Sequence, residues 1–494
     1  MFIAIFLVLC GVFYFWLKWN FSYWKRHHVP GPEPSLIVGN LGKVITQKDH
    51  IGLMADAWYK KYSNAPYVGY YKVFTPAIMV RDVELVKNVL IKDFTSFLSN
   101  DVTTNDDPND LLSGNPFIQT DEQKWKLSRA IMSPMFTTNK MKSILPLMQS
   151  ACDKLIKYIE RQGSDTDIDS KSLSAKFTTE NVVTCAFSMD ANCFDDPNCE
   201  FRRMGKKIFQ PSFWMGMKFM TFFFLPFLVK FFSFSFIPKD VDKWARNLMR
   251  ENMKSRQNKK LQHEDMIQIM QSFQERHNMT DDQVIGHAMS FFVDGYETSS
   301  SVLSFALWQI ARDSKVQDTL YQEISTILAK HDGQLSYEAI NEMHYLDCVI
   351  QETLRLDSVG LTLHKLCTKP YQMPPLPGQK EGFVLQPGTP ILIPVYAIHH
   401  DPEFYPNPKV FDPLRFTEEE KQKRPKCTYL PFGEGPRICV GMKFGLLQTK
   451  MALVSIVRNF TITESPNCKP FVVDVRALLY QTLHPLILNF AKRK

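Results

Sequence analysis

The chain lacks the marks by which several protein classes are recognised. Its ten cysteines include no C-x-x-C pair and follow no regular spacing. That argues against a disulfide framework or a zinc site and points to a reducing compartment. The net charge of +7 is spread along the chain rather than gathered in a block, which argues against nucleic acid as a partner. A mildly basic surface suits acidic lipid or an acidic protein instead. No Gly/Ser/Pro-rich linker divides the chain after residue 40, and no internal repeat is evident. The 494 residues, 45% of them hydrophobic, are therefore read as one large body, although length alone suggests about three domains.

Charge is also missing from Met1 to Leu17. This apolar run covers about 25 Å as a helix, just short of a bilayer core of about 30 Å. Trp16 and Trp19 suit the interface, Lys18 can snorkel, and Lys25, Arg26, His27 and His28 follow. No positive residue precedes the run and no small-residue cleavage site is clear, which favours an anchor over a cleaved signal peptide. The basic cluster then places the body in the cytosol. The expected organisation is an anchor over residues 1–20, a basic linker and proline hinge over 21–40 (including Val29-Pro-Gly-Pro-Glu-Pro34), and a globular domain over 41–494.

Along that domain, Tyr67 to Arg81 reads as a hairpin around a Thr-Pro break, and Gly382–Ile393 and Phe471–Leu488 alternate like strands of small sheets. Thr103 to Asn115 reads as a loop, with Phe117 and Ile118 after it. Phe209 to Pro238 is dense in phenylalanine but broken by Pro211, Pro226 and Pro238. It is read as a segment dipping into the membrane surface and lining an entry route, with a second span or a buried core element as alternatives. Thr280 to about Asp313 reads as one helix of about 50 Å, opened by a capping box of Thr280 and Gln283. Mid-helix Gly295 costs about 1 kcal/mol against alanine, so it needs a reason, such as admitting a ligand. Glu297 and Thr298 beside it offer an acid and a hydroxyl for proton transfer. The alternative is that Thr298 bonds back to its own helix and Glu297 is solvated.

The densest chemistry lies in Phe432-Gly-Glu-Gly-Pro-Arg-Ile-Cys-Val-Gly441. A helical pattern runs from Val440 to Phe460, so Cys439 sits at a helix N-terminus, which stabilises a thiolate. Gly433, Gly435 and Gly441 remove side chains where a large flat ligand would approach. Arg437 offers a fork for a carboxylate. Together these suit a haem iron and a propionate; the alternative is a Gly/Pro turn with a buried free cysteine. Trp125 and Arg129 share a helix face and can both donate to one carboxylate. Glu352 and Arg355 stand at helical ion-pair spacing.

Read in full, F-x-x-G-x-R-x-C-x-G resembles the haem-binding signature of the cytochrome P450 family. Trp125-x-x-x-Arg129, Asp294-Gly-Tyr-Glu-Thr298, Glu352-x-x-Arg355 and Phe411-Asp-Pro-Leu-Arg-Phe416 match further motifs of that family, in its order. Phe21-Ser-Tyr-Trp-Lys-Arg, Gln123-Lys-Trp-Lys and the run ending Gly-Leu-Leu-Gln-Thr-Lys450 resemble microsomal insect members of the detoxifying type. The resemblance implies a mainly α fold with small β-sheets (α+β), one haem domain behind an N-terminal anchor. It implies Cys439 as ligand to the iron of haem b. Trp125, Arg129, Lys365 and Arg437 would hold its propionates, with Phe432, Gly435 and Gly441 around the ring. Glu297 and Thr298 would handle protons, and Glu352, Arg355 and Arg415 would lock the fold. Phe117, Phe292, Gly295 and Val359 would border the substrate pocket.

The implied activity is insertion of one oxygen atom from O₂ into a small hydrophobic substrate at the endoplasmic reticulum membrane. Electrons would come from NADPH through cytochrome P450 reductase, with cytochrome b5 as a further candidate partner. Lys124, Lys126, Lys443 and Lys450 would face the acidic reductase. The rival readings are a haem-thiolate isomerase or dehydratase that works without reductase, and a non-catalytic haem- or lipid-binding membrane protein. The chain departs from the family pattern at three places. Asp294 stands where a small residue is usual, and either adds a carboxylate near the oxygen pocket or turns outward. Asp357 to Lys365 lacks the usual prolines and puts Lys365, with His364 beside it, in place of arginine. Leu414 replaces a common glutamate.

Overall fold

Apolar residues recurring at helical spacing dominate the chain, and helices dominate the computed structural model. The structure describes residues 1–493 except 104–106, 108–109, 165, 226–227, 230, 232–234 and 260–265. The helices that place the site are α1 (Phe2–Asn20), α2 (Glu122–Met132), α3 (Thr138–Gln162), α4 (Ser170–Phe187), α5 (Phe213–Phe224), α6 (Asp281–Arg312), α7 (His344–Leu356) and α8 (Met442–Asn459). Strands β1 (Tyr67–Lys72), β2 (Thr75–Val80), β3 (Ser99–Asn100), β4 (Leu363–Leu366) and β5 (Pro390–Ile393) form one mixed sheet, in the order β1-β2-β5-β4-β3. A second sheet joins Ile168–Asp169 with β6 (Phe460–Glu464) and β7 (Ile487–Lys492).

Helix α6 runs through the larger core. Thr280 and Gln283 close the capping box at its start, and most of its side chains are buried. It is held to α4 and α8 by a buried polar seam. Thr178 Oγ1 donates to the Tyr296 carbonyl at 2.8 Å, and Asn181 Nδ2 to Gln448 Oε1 at 3.0 Å. Gln448 Nε2 donates in turn to the Gly295 carbonyl at 3.1 Å and to Ser299 Oγ at 2.7 Å. The polar groups of this seam thus satisfy one another, which fixes how the three helices mate.

Several expectations change on contact with the fold. The hairpin turns at Val73 and Phe74, not at the Thr-Pro step, and Pro76 pairs with Tyr71 inside β2. Proline is tolerated there because β5 joins β2 only at Ile78 and Met79, beyond it. Of Phe471–Leu488, only Ile487 and Leu488 lie in a strand, apart from a single bridge between Val473 and Thr482. Phe471 and Tyr480 pack instead on Phe305. Residues of the basic linker pack on the body: Phe21, Trp24 and Val29 are buried, and Trp24 Nε1 donates to the Tyr70 carbonyl at 2.9 Å. A Cβ at Gly69 would lie 2.5 Å from the Trp24 ring, so glycine is what lets the indole reach the sheet. Cys193 and Cys199 form a disulfide, which the cysteine spacing did not lead us to expect. It is a local bridge; the other eight cysteines are free.

Among the described residues, α1 is the one helix long and apolar enough to cross a membrane, with mean hydropathy 2.0. Helix α5 has 12 residues, too few for a span, so the second-span alternative finds no support there. Phe213 and Trp214 on α5 are exposed while Phe219, Met220, Phe222 and Phe224 are buried. Pro226 and Lys230 of that run lie outside the described residues.

Asp357 ends α7 with its side chain buried, accepting from Gln309 Nε2 at 2.7 Å. Burial pushes its carboxyl up to about 7 against the pull of that hydrogen bond. Its folded value lies above the unfolded one of about 3.9, so the folded state binds more protons between them and stability falls as pH rises through that window. Asp357→Asn should therefore raise the unfolding midpoint above pH about 7, with a gain that shrinks toward pH about 4. Thermal melts across that range check this; a gain that grows on acidification contradicts it.

Candidate functional site

The cysteine loop is closed by its own backbone. Cys439 N–H donates to the Phe432 carbonyl at 2.9 Å and Ile438 N–H to the Gly435 carbonyl at 3.0 Å. Gly433 and Gly435 take positive φ of 71° and 75°, which is the left-handed region the turn needs. Gly441 is the N-cap of α8. Burial pushes the Cys439 thiol up to about 11, opposed by backbone N–H groups of Gly441 and Met442 and by Arg129. The thiol is nevertheless accessible, because it opens into a cavity of about 690 Å³. Without a cation on its sulfur this cysteine is a poor thiolate; a metal ion there would supply the missing charge.

Trp125, Arg129, Lys365, Arg437, Phe432, Gly441, Phe117, Gly295 and Val359 all line the same cavity. Arg437 lies over the Trp125 ring at 4.6 Å and donates to the Pro116 and Gln119 carbonyls at 3.1 and 2.9 Å. Its Nε is buried without a partner among the described residues. Arg129 donates to the Ile438 carbonyl at 2.6 Å, and Lys365 to Asn100 Oδ1 at 3.0 Å. Among the described residues none of the three cations is paired with a carboxylate. Burial, and then the Arg437 charge, pushes Lys365 down to about 7; burial, and then Arg129, pushes Arg437 down to about 10. A group with two carboxylates and a broad apolar body would relieve this unbalanced charge. Haem b has that form, and the Cys439 thiol would be there to ligate its iron, so the residues present fit it. His364, the alternative donor, is engaged with Thr362 Oγ1 at 2.8 Å.

On α6 the cavity face differs from the sequence reading. Thr298 lines the cavity and its Oγ1 donates back to the Asp294 carbonyl at 2.6 Å. Glu297 turns away, because Lys171 on α4 holds its Oε1 at 3.0 Å. Neighbouring residues on a helix diverge by about 100°, so both could not face inward. Asp294 turns inward instead, with Oδ2 accepting from Asn115 Nδ2 at 2.9 Å. Phe292 is also off the cavity, stacked 5.2 Å from Tyr296 and packed on Phe201 behind the helix. A Cβ at Gly295 would meet Val182 Cγ2 at 3.3 Å, so that glycine serves the α4–α6 approach. A Cβ at Gly435 would meet the Leu90 carbonyl at 2.0 Å. Its close approach is thus to the chain, not to a ligand.

Behind the loop, Glu352 and Arg355 are fully buried and paired at 2.6 Å, with Arg415 Nε 3.4 Å from the same carboxylate. Arg355 also donates to the His399 carbonyl at 2.8 Å, and His399 Nε2 accepts from Leu430 N–H at 2.8 Å. The cluster therefore reaches the cysteine loop through His399, which no motif marked. Asn100, Asn115 and His287 were missed in the same way, since each is recruited by distant chain. Lys450 is buried on Asp347 at 2.5 Å and so is not free for a partner.

A family model described as cytochrome P450 matches residues 29–485. Cytochrome P450 6j1 of Blattella germanica is 33% identical over 494 residues, covering 99% of this chain and 97% of that protein. Probable cytochrome P450 6a13 of Drosophila melanogaster is 35% identical over 476 residues, covering 94% of each. Cytochrome P450 6a2 of the same species is 34% identical over 466 residues, covering 90% of each.

Each cation around the cavity should strengthen haem binding. Arg437→Ala and Lys365→Met should each weaken haem retention by about tenfold or more, the worth of one hydrogen bond to a charged group. Transfer of haem to an apo-globin acceptor measures it; unchanged transfer from both variants contradicts the assignment.

Proposed function

The chain belongs to the cytochrome P450 family, monooxygenases that carry haem b, and from that premise we propose that it oxidises small hydrophobic molecules at the endoplasmic reticulum membrane with electrons from NADPH–cytochrome P450 reductase. The observation that carries this reading is the Cys439 thiol opening into a largely apolar cavity rimmed by three cations that pair with no carboxylate among the described residues. Haem held by a thiolate supplies the activation of O₂. Cys439 is the ligand, and the N-terminus of α8 stabilises its charge. Arg437, Arg129, Lys365 and Trp125 hold the two propionates. Thr298 presents the hydroxyl that passes protons into the cavity. Glu297, tied to Lys171, positions that turn of α6. Phe117 and Val359 border the substrate.

The exposed helix α1 supports anchoring over residues 1–20, and Lys25 and Arg26 support a cytosolic body. Exposed Phe213 and Trp214 on α5 support contact with the membrane surface. Lys124, Lys126 and Lys443 are exposed and suit an acidic redox partner, with cytochrome b5 as a second candidate. Lys126 is the weaker of these because Glu122 pairs with it at 2.8 Å.

Cys439→Ala should abolish the reduced carbon-monoxide spectrum of a thiolate-bound haem together with substrate oxidation. A variant that keeps both sinks the reading. The double variant Lys124→Glu, Lys443→Glu should raise the half-saturating reductase concentration severalfold at low salt, with the difference shrinking as salt screens the surface. An unchanged half-saturating concentration places the partner elsewhere.

A further inference from the structure

Asp294 is where the chain departs from its own motif, and the structure gives that carboxylate a definite setting. Asn115 Nδ2 takes Oδ2 at 2.9 Å, and Asn115 is itself fixed because its Oδ1 accepts from Phe117 N–H at 2.8 Å. Among the described residues Oδ1 of Asp294 has no protein donor, and the side chain is open to the cavity. Seven residues earlier on α6, His287 borders the same cavity; it is buried beside the Gly114 backbone, and among the described residues its Nδ1 has no side-chain hydrogen-bond partner. Seven residues are two helical turns, so the two groups lie on one side of α6, about 10 Å apart along its axis. The cavity lining also includes the apolar side chains of Ile118, Phe222, Phe291 and Val359.

An ionised carboxylate only accepts hydrogen bonds, whereas a neutral imidazole can accept or donate. A donor on the substrate would satisfy the open oxygen of Asp294. A carbonyl placed there would face it acceptor to acceptor, with neither group's lost hydration replaced. On the reading that this cavity receives the substrate beside haem, we propose that Asp294 is a specificity-determining residue that anchors a rigid, largely hydrocarbon substrate by a hydroxyl group, with His287 meeting a second polar group at its far end. This deepens the proposed function by naming a substrate class: hydroxylated polycyclic or terpenoid skeletons, in preference to their ketones.

Asp294→Asn separates this role from a structural one. The asparagine oxygen can still accept from Asn115, so the loop stays pinned, while the atom facing the cavity changes from acceptor to donor. The probes are androstanediol and androstanedione, which share one rigid skeleton and differ only in donors at its two ends. Their affinities for the full-length, haem-loaded protein are measured by equilibrium dialysis at mildly alkaline pH. The wild type should bind the diol about tenfold or more tighter than the dione, and Asp294→Asn should abolish or invert that ratio. A wild-type ratio near one, binding of neither steroid, or a ratio unchanged in the variant overturns the proposal. The wild-type comparison stands even if the variant does not fold. The reduced carbon-monoxide spectrum of the same samples separates the two ideas: with a thiolate-type spectrum and no diol preference only the substrate class falls, and without that spectrum both fall.

Discussion

Three cations face one cavity, and among the described residues no carboxylate pairs with any of them. Arg129, Lys365 and Arg437 come from α2, β4 and the cysteine loop, segments far apart in sequence. Their mutual repulsion in a partly dry space is a standing cost. A dianionic cofactor removes it, so cofactor binding and folding are thermodynamically linked. Meanwhile the three spend their donors on the backbone of 116–119, on Ile438 and on Asn100. The groups suited to the cofactor thus also touch the loop that borders the substrate. Retention of one and shape of the other share the same hydrogen bonds.

The second constraint lies behind the loop. Glu352 and Arg355 are out of water altogether, where a lone charge would cost several kcal/mol. Their pairing is tolerable because Asp412 N–H and the carbonyl of His399 fill the remaining valences. The His399 ring then carries this rigidity to Leu430, two residues before the loop that ends in Cys439. A thiol at a fixed place needs such a scaffold, since a metal ligand displaced by an ångström no longer meets its ion.

What was legible in the sequence is local chemistry. The glycines, arginine and cysteine of 432–441 lie within one turn-to-helix unit, and Trp125 and Arg129 lie on one helix face, so spacing alone brings them together. The capping box at Thr280 and the two-strand hairpin are local in the same sense. What was not legible depends on distant chain. Whether Asp294 or Glu297 faces inward is decided by Lys171 and Asn115, more than 100 residues away. The purposes of Gly295 and Gly435 are set by Val182 and Leu90. Lys450 reads as a surface charge until Asp347 is found beside it. Phe292 differs from its neighbours only by the helix rotation that sends it toward Phe201.

Helix α1 does not leave the body freely. Phe13 and Trp16 lie 6.3 and 6.1 Å from the ring of Phe74 at the hairpin tip, and Asn20 Nδ2 donates to the carbonyl of Phe74 at 2.7 Å. A tether would let the globule roll and yaw above a bilayer. On the anchoring proposed above, a bolted strut would hold the globule in one attitude, so that the same flank would meet the lipid and the opposite flank would reach collisions already aligned.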